Sequence, residues 1–325
     1  MSFSNRLLVG TGAMVMAAGA ALFAHGGYQA GDAAKVMADM KAALGGDTLA
    51  AVTTLTATGN AQRSMGERSM GGEYEMALEL PGKFYAKQVM AQTPMGNIAR
   101  KAGFNGDALI EEIDQPQMPG GGRMMISFGG ASPNMSAEQQ AQAQARTLAS
   151  TKAEYVRMSL GMFGAGLASQ PLDFTYGGVA EAPDGKADVI NVKGGDFAGK
   201  LFVDQKTHLP LMFSWMDKEP MQISTNTSTG SRAGGQGGVV QMNGSMSQAD
   251  REKLMADMQA RMAEAEKNRK MVEFRVFYGD YKTVDGVKLP HHFQQAIGND
   301  PTFEITIDKY RVNQKIDPKK FDPKK

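Results

Sequence analysis

Residues 272–312 read VEFRVFYGDYKTVDGVKLPHHFQQAIGNDPTFEITIDKYRV. Three runs in this stretch, 272–282, 289–297 and 302–312, are rich in β-branched and aromatic residues and alternate apolar with polar positions. That is the period of a strand with one buried face. Val284-Asp285-Gly286-Val287 joins the first two runs, and Asp-Gly supplies the backbone angles that a tight hairpin demands. The stretch predicts an antiparallel meander.

The same punctuation extends upstream. Runs at 173–179, 187–193, 199–204 and 209–216 are separated by turns containing Pro183-Asp184-Gly185 and Asp204-Gln205-Lys206-Thr207. Earlier still, 52–59, 72–80, 83–90, 97–104 and 108–114 are short runs broken by Gly, Pro or Asn. Between these groups the period changes to that of a helix. Residues 32–44 carry Ala33, Val36, Met37, Met40 and Leu44 at three- and four-residue spacing and stop at Gly45-Gly46. Residues 136–163 open on Ser136 as a cap and end in an apolar half with Leu148, Tyr155, Leu160 and Phe163 before Gly164. Ser247-Gln248-Ala249-Asp250 resembles a capping box and opens a third helix to about residue 268. Residues 115–135 read as a Gly/Pro-rich loop and 224–244 as a flexible Ser/Gly excursion. Strands bracket every helix, so one sheet is expected, with insertions at 115–163 and 224–268. The expected fold is α+β: a strongly curved antiparallel β-sheet, an unclosed half-barrel, with helices packed near its concave face.

Residues 1–24 have the form of a signal peptide: Arg6 gives a positive start, and Leu7 to Phe23 is apolar, small and uncharged. Cleavage is expected after Ala20 or Ala24, with 25–325 as a single exported domain; without cleavage the leader would be a membrane anchor. Lys and Arg number 35 against 34 Asp and Glu, so no global charge draws the chain to nucleic acid. There is no cysteine, which excludes disulfides, thiolate catalysis and Cys-ligated zinc. At 42% hydrophobic and 21% charged residues the chain has the means to bury a core.

Three turn-and-strand signatures together resemble the outer-membrane lipoprotein-sorting superfamily, the periplasmic lipoprotein carrier and its relatives. They are Leu201-Phe202-Val203-Asp204 with Thr207-His208-Leu209-Pro210, Tyr278-Gly279-Asp280-Tyr281 with Asp285-Gly286-Val287-Lys288-Leu289-Pro290, and Ile316-Asp317-Pro318-Lys319-Lys320-Phe321. The resemblance covers the last third of the chain best. It implies an unclosed β-barrel wrapped around helices, a periplasmic location, and an apolar cavity that receives acyl chains, with lipid or acylated protein as partner. It carries over no functional residue, and the insertions at 115–135 and 247–268 depart from it.

Acyl binding needs a continuous apolar face, and strand alternation supplies one. The candidates are Tyr74, Met76, Leu78 and Leu80; Leu209, Leu211, Phe213 and Trp215; Phe274, Val276 and Tyr278; Phe303, Ile305 and Ile307. The same pattern serves ordinary core packing. Met255, Met258 and Met262 form a soft helical stripe suited to a lid over cargo of varied shape. A rival use of methionine is Cu(I) ligation, for which Met65, Met70, Met118, Met124 and Met125 lie in Gly-rich surroundings. His291-His292 points its two rings to opposite strand faces, which argues against a shared metal. Gly-x-Ser-x-Gly and His-Glu-x-x-His are both missing. Gly194 to Gly199-Lys200 has P-loop spacing, but Leu201 replaces the metal-binding hydroxyl and a strand follows, so a hairpin turn is expected. The basic end Asp317 to Lys325 reads as a solvated tail. No cofactor and no catalysis are expected. Three uses remain open: an apolar-ligand carrier, an envelope interaction or sensory module without lipid, and a Met-rich Cu(I)-binding protein.

Overall fold

The computed structural model describes residues 30–65, 68–93, 96–114, 136–182, 185–220, 257, 260 and 264–323. The chain enters through helices α1 (Ala30–Leu44) and α2 (Asp47–Ala50) and then forms strands β1 (Thr54–Met65), β2 (Arg68–Glu79), β3 (Lys83–Thr93), β4 (Gly96–Asn105) and β5 (Ala108–Asp114). Helix α3 (Ala137–Phe163) follows. Then come β6 (Asp173–Ala182), β7 (Gly185–Gly194), β8 (Phe197–Asp204), β9 (Pro210–Lys218), β10 (Met271–Val284), β11 (Val287–Ile297) and β12 (Asp300–Val312), with a 3₁₀ turn at Pro318–Phe321.

The strands make one antiparallel sheet in the order β5-β4-β3-β2-β1-β12-β11-β10-β9-β8-β7-β6. The chain starts mid-sheet, walks to one edge, crosses with α3 to the other edge and walks back until β12 pairs with β1. The sheet does not close, since β5 and β6 remain its two ends among the described residues. Register shifts interrupt β1/β12, β6/β7, β8/β9 and β11/β12. A bulge bends the strand that carries it and adds twist, the local device for curving such a sheet.

Alternation sets the two faces. In β12, Phe303, Ile305, Ile307 and Tyr310 are buried, whereas Thr306, Lys309 and Arg311 are exposed. The inward residues join α1 (Ala33, Met37, Met40, Leu44) and the second half of α3 (Tyr155, Val156, Leu160, Met162) in one continuous core. At about 1.5–3 kcal/mol for each large apolar side chain buried, this contact is what holds both helices on the sheet. Helix α3 begins with a capping box: Ser136 Oγ accepts from the Gln139 amide (3.2 Å) and Gln139 Oε1 accepts from the Ser136 amide (3.0 Å). It ends at Gly164, whose positive φ of 59° lets its amide reach the Leu160 carbonyl. Two tyrosines of β10, Tyr278 buried and Tyr281 half-buried, pin the helix to the sheet. The Tyr278 hydroxyl donates to the Arg157 carbonyl (2.5 Å), and the Tyr281 hydroxyl to that of Gly161 (2.9 Å).

Several expectations change. The basic tail is not solvated along its length: Phe321 is fully buried and, with Ile316, covers Ala77, Tyr85 and Ile110 on the convex face. The short helix α2 carries no repeating apolar stripe and was not foreseen. Residues 257, 260 and 264–268 are helical, while the other residues of the helix expected up to 268, the loop expected at 115–135 and the leader expected at 1–24 lie outside the described residues. The P-loop-like spacing is a hairpin, with Gly194 paired to Phe197 across the turn.

Candidate functional site

The site is built on a row of aromatic rings. Phe213 and Trp215 lie two residues apart on one face of β9, Trp215 pairs in register with Phe274 of β10, and Phe197 comes from the start of β8. The rings run nearly parallel: Phe197 to Phe213 at 5.3 Å and 14°, Phe213 to Trp215 at 6.0 Å and 26°, and Trp215 to Phe274 at 5.4 Å and 19°. Gly199 makes room for this row, because a β-carbon there would collide with the Phe213 ring. Phe197 and Phe213 are buried, whereas Trp215 and Phe274 are half-buried, so the row leads from the core to solvent.

Facing it is one side of α3, where Ala149, Lys152, Ala153 and Arg157 recur at helical spacing. Between the two walls lies a cleft of about 390 Å³, with Asp196 and Asp217 at its exposed rim. Its volume falls at the lower end of the roughly 300–1,000 Å³ of small-molecule clefts. The Arg157 guanidinium sits 4.0 Å from the centre of the Trp215 ring and 5.7 Å from that of Phe197. Burial lowers the pKa of this guanidinium, with Glu154, Asp217 and Tyr278 opposing the shift; a guanidinium stays charged nonetheless. Arg157 makes no ion pair among the described residues, and its Nε is buried without a hydrogen-bond partner. Lys152, with a side chain only 16% exposed, meets Asp107 at 2.8 Å. The cleft therefore combines an apolar floor with two largely buried cations.

The sequence candidates divide in two. Tyr74, Met76, Leu78, Val276, Phe303 and Ile305 belong to the continuous core, none more than 7% exposed. The apolar face they form is occupied by α1 and α3. Phe213, Trp215 and Phe274 are brought together in the aromatic row, and of the three Trp215 lines the cleft. Leu211 does not join them: Val203 pairs with Pro210 and Phe202 with Met212, which leaves Leu211 as the extra residue of a bulge, outside the core. Strict alternation fails at a bulge because the inserted residue resets the parity. Met255, Met258 and Met262 lie outside the described residues, as do Met118, Met124 and Met125. His291 and His292 do face apart, His291 packing its ring edge-on to Tyr310 and His292 meeting Glu304 at 2.6 Å.

Arg157, Lys152 and Phe197 were missed. A lone arginine on an amphipathic helix looks like solvated surface, and Phe197 stands directly after a Gly-Gly-Asp turn, where alternation has not begun. The spacing of Lys152, Ala153 and Arg157 beside small residues was the one available signal. Among the described residues no group of three or more His, Asp or Glu is placed to hold a metal, and no helix is long and apolar enough to cross a membrane.

No protein-family model matches the sequence, and no curated protein matches it. Among solved structures, an outer-membrane lipoprotein-sorting protein domain from Vibrio parahaemolyticus aligns over 90% of this chain and 97% of its own, at 9% identity and a TM-score of 0.44. A LolA superfamily protein from Nitrosomonas europaea aligns over 89% and 97%, at 8% identity and 0.44. A DUF1329 family protein from Desulfovibrio piger aligns over 89% and 97%, at 9% identity and 0.37. The superfamily that the turn-and-strand signatures resemble thus stands among these structures. The half-barrel rests on this chain's own strand order.

Proposed function

We propose that the protein is a non-enzymatic binding protein of the bacterial periplasm that holds an apolar ligand, a lipid or the acyl chain of a lipoprotein. The observation that carries this reading is the half-buried Trp215–Phe274 pair at the open end of an aromatic row that runs into the core. A chain laid along that row exchanges water for ring faces, and each methylene buried contributes about 0.8 kcal/mol, enough to hold it without covalent chemistry. Deeper entry requires α3 to move off the sheet, since its second half now covers the concave face. Export by the leader at residues 1–24 belongs to the same proposal.

Trp215 is the sole tryptophan of the chain, so its emission reports on the cleft alone. Titration with ω-bromoundecanol, whose bromine quenches indole only at contact, is expected to give saturable quenching. Weak quenching that rises linearly with probe concentration would mean that no site exists there.

A second reading, an envelope interaction module without lipid, draws on the open edge at β6, where no residue is fully buried. An unpaired edge offers backbone donors and acceptors to an added strand.

A further inference from the structure

Arg157 stands out among the charged groups of the molecule. Taking a guanidinium out of water is unfavourable unless a carboxylate, a carbonyl or water replaces the lost hydration. Here the nearest compensation is the face of Trp215, which attracts the cation but accepts no conventional hydrogen bond from it. Glu154 and Asp217 act on Arg157 only from beyond ion-pair distance. The charges of the cleft are also sorted by depth. Its carboxylates, Asp196 and Asp217, are exposed at the rim, whereas Arg157 lies lower, against the aromatic wall, and Lys152 is half-buried beside Phe104 and Asp107. A neutral chain would leave that arrangement unanswered.

We infer that the ligand of the cleft is an anionic amphiphile, whose carboxylate or phosphate meets the Arg157 guanidinium while its chain lies along Trp215 and Phe274. This rests on the apolar-ligand reading above and adds the chemistry of the head group. A guanidinium carries its N–H donors in one planar fork, the geometry that grips a carboxylate or phosphate with two parallel bonds, and the centre of this one lies 4.0 Å from that of the Trp215 ring. Lys152, which also lines the cleft, is already paired with Asp107, so Arg157 is the cation left to meet the head group.

The test uses the full chain, Trp215 emission, and two probes of equal length at neutral pH: ω-bromoundecanoic acid, ionised, and ω-bromoundecanol, neutral. The acid is expected to bind about tenfold tighter than the alcohol, the scale of one charge-assisted hydrogen bond. In Arg157→Gln the roughly tenfold ratio between the affinities of acid and alcohol, each measured on that variant, should fall to about one. A salt titration of the unaltered protein gives an independent readout: the acid's advantage should shrink toward about 1 M salt, and alcohol binding should hold or strengthen. Equal affinity for both probes, or a preference that survives both Arg157→Gln and high salt, overturns the anionic head group and leaves the apolar-ligand reading standing. Saturable quenching by neither probe overturns both. The same titration with a phosphate monoester of the bromoalcohol separates the two head groups, the tighter one naming the class.

Discussion

A β-carbon added at Gly161 would lie within 2.7 Å of three ring atoms of Tyr278. On helix propensity alone Gly→Ala stabilises by up to about 1 kcal/mol. Here the tyrosine ring cannot yield, because it is 4% exposed and its hydroxyl holds the Arg157 carbonyl. Overpacking costs about 1–3 kcal/mol and decides the sign. Gly161→Ala is therefore expected to lower stability by roughly 1–2 kcal/mol in denaturant titration; a stabilised variant would show that α3 does not lie on β10 as described. The same scale shows what could be read from sequence. The inward positions Met76, Leu78, Val276 and Ile305 followed from alternation, since burial on one face is the cause of the pattern. Arg157 did not, because the spacing of residues 149–157 marks a helix face but does not say which strand crosses beneath it.

The closing segment of the chain is an element whose role only the structure reveals. Phe321 fills a pocket on the convex face, and Lys320 meets Glu75 at 2.6 Å beside the Tyr85 hydroxyl, also 2.6 Å from that carboxylate. Burial pushes the Glu75 carboxyl up, but hydrogen bonds from Lys320 and Tyr85 outweigh it and leave the group below the usual carboxylate value. A lowered pKa in the folded state means stability that is present above the ordinary value of 4.5 and lost as pH falls through the folded value. Burial and Glu75 push the Tyr85 phenol up to about 12, and hydrogen bonding to Glu75 raises Lys320, so their contributions fade only at strongly alkaline pH. Glu75→Gln should accordingly lower Tm most between about pH 5 and 9, with the difference from the unaltered protein shrinking in acid. A difference independent of pH would refute the ion pair as the cause. The tail was missed because its two apolar anchors, Ile316 and Phe321, are isolated among Asp, Pro and Lys, and show no period. Helices and hairpins were legible where their signals are local: Ser136 with Gln139 at the start of α3, and Asp285-Gly286 between β10 and β11.

Across the whole molecule, the sheet is sealed by a pairing that no local signal announces. Asn313, at a positive φ of 53°, accepts from the amide of Thr53 (2.8 Å) and donates to the Ala51 carbonyl (3.1 Å), tying the last strand to the first across 260 positions. Strand content and meander order could be read from turns, whereas the β1–β12 junction and the crossing of α3 between the two edges required the three-dimensional path. That path places the aromatic row and the side of α3 that carries Arg157 on opposite walls of one cleft, and the occupant of that cleft decides the function. The most direct measurement is mass spectrometry of an organic extract of the protein purified from its native envelope under mild conditions. About one acyl-bearing, anionic molecule per chain is the expected result, and its loss in Trp215→Ala would place it in the cleft. An empty extract, together with no retention of added fatty acid through gel filtration, would contradict the account and leave the open edge at β6 as the working surface.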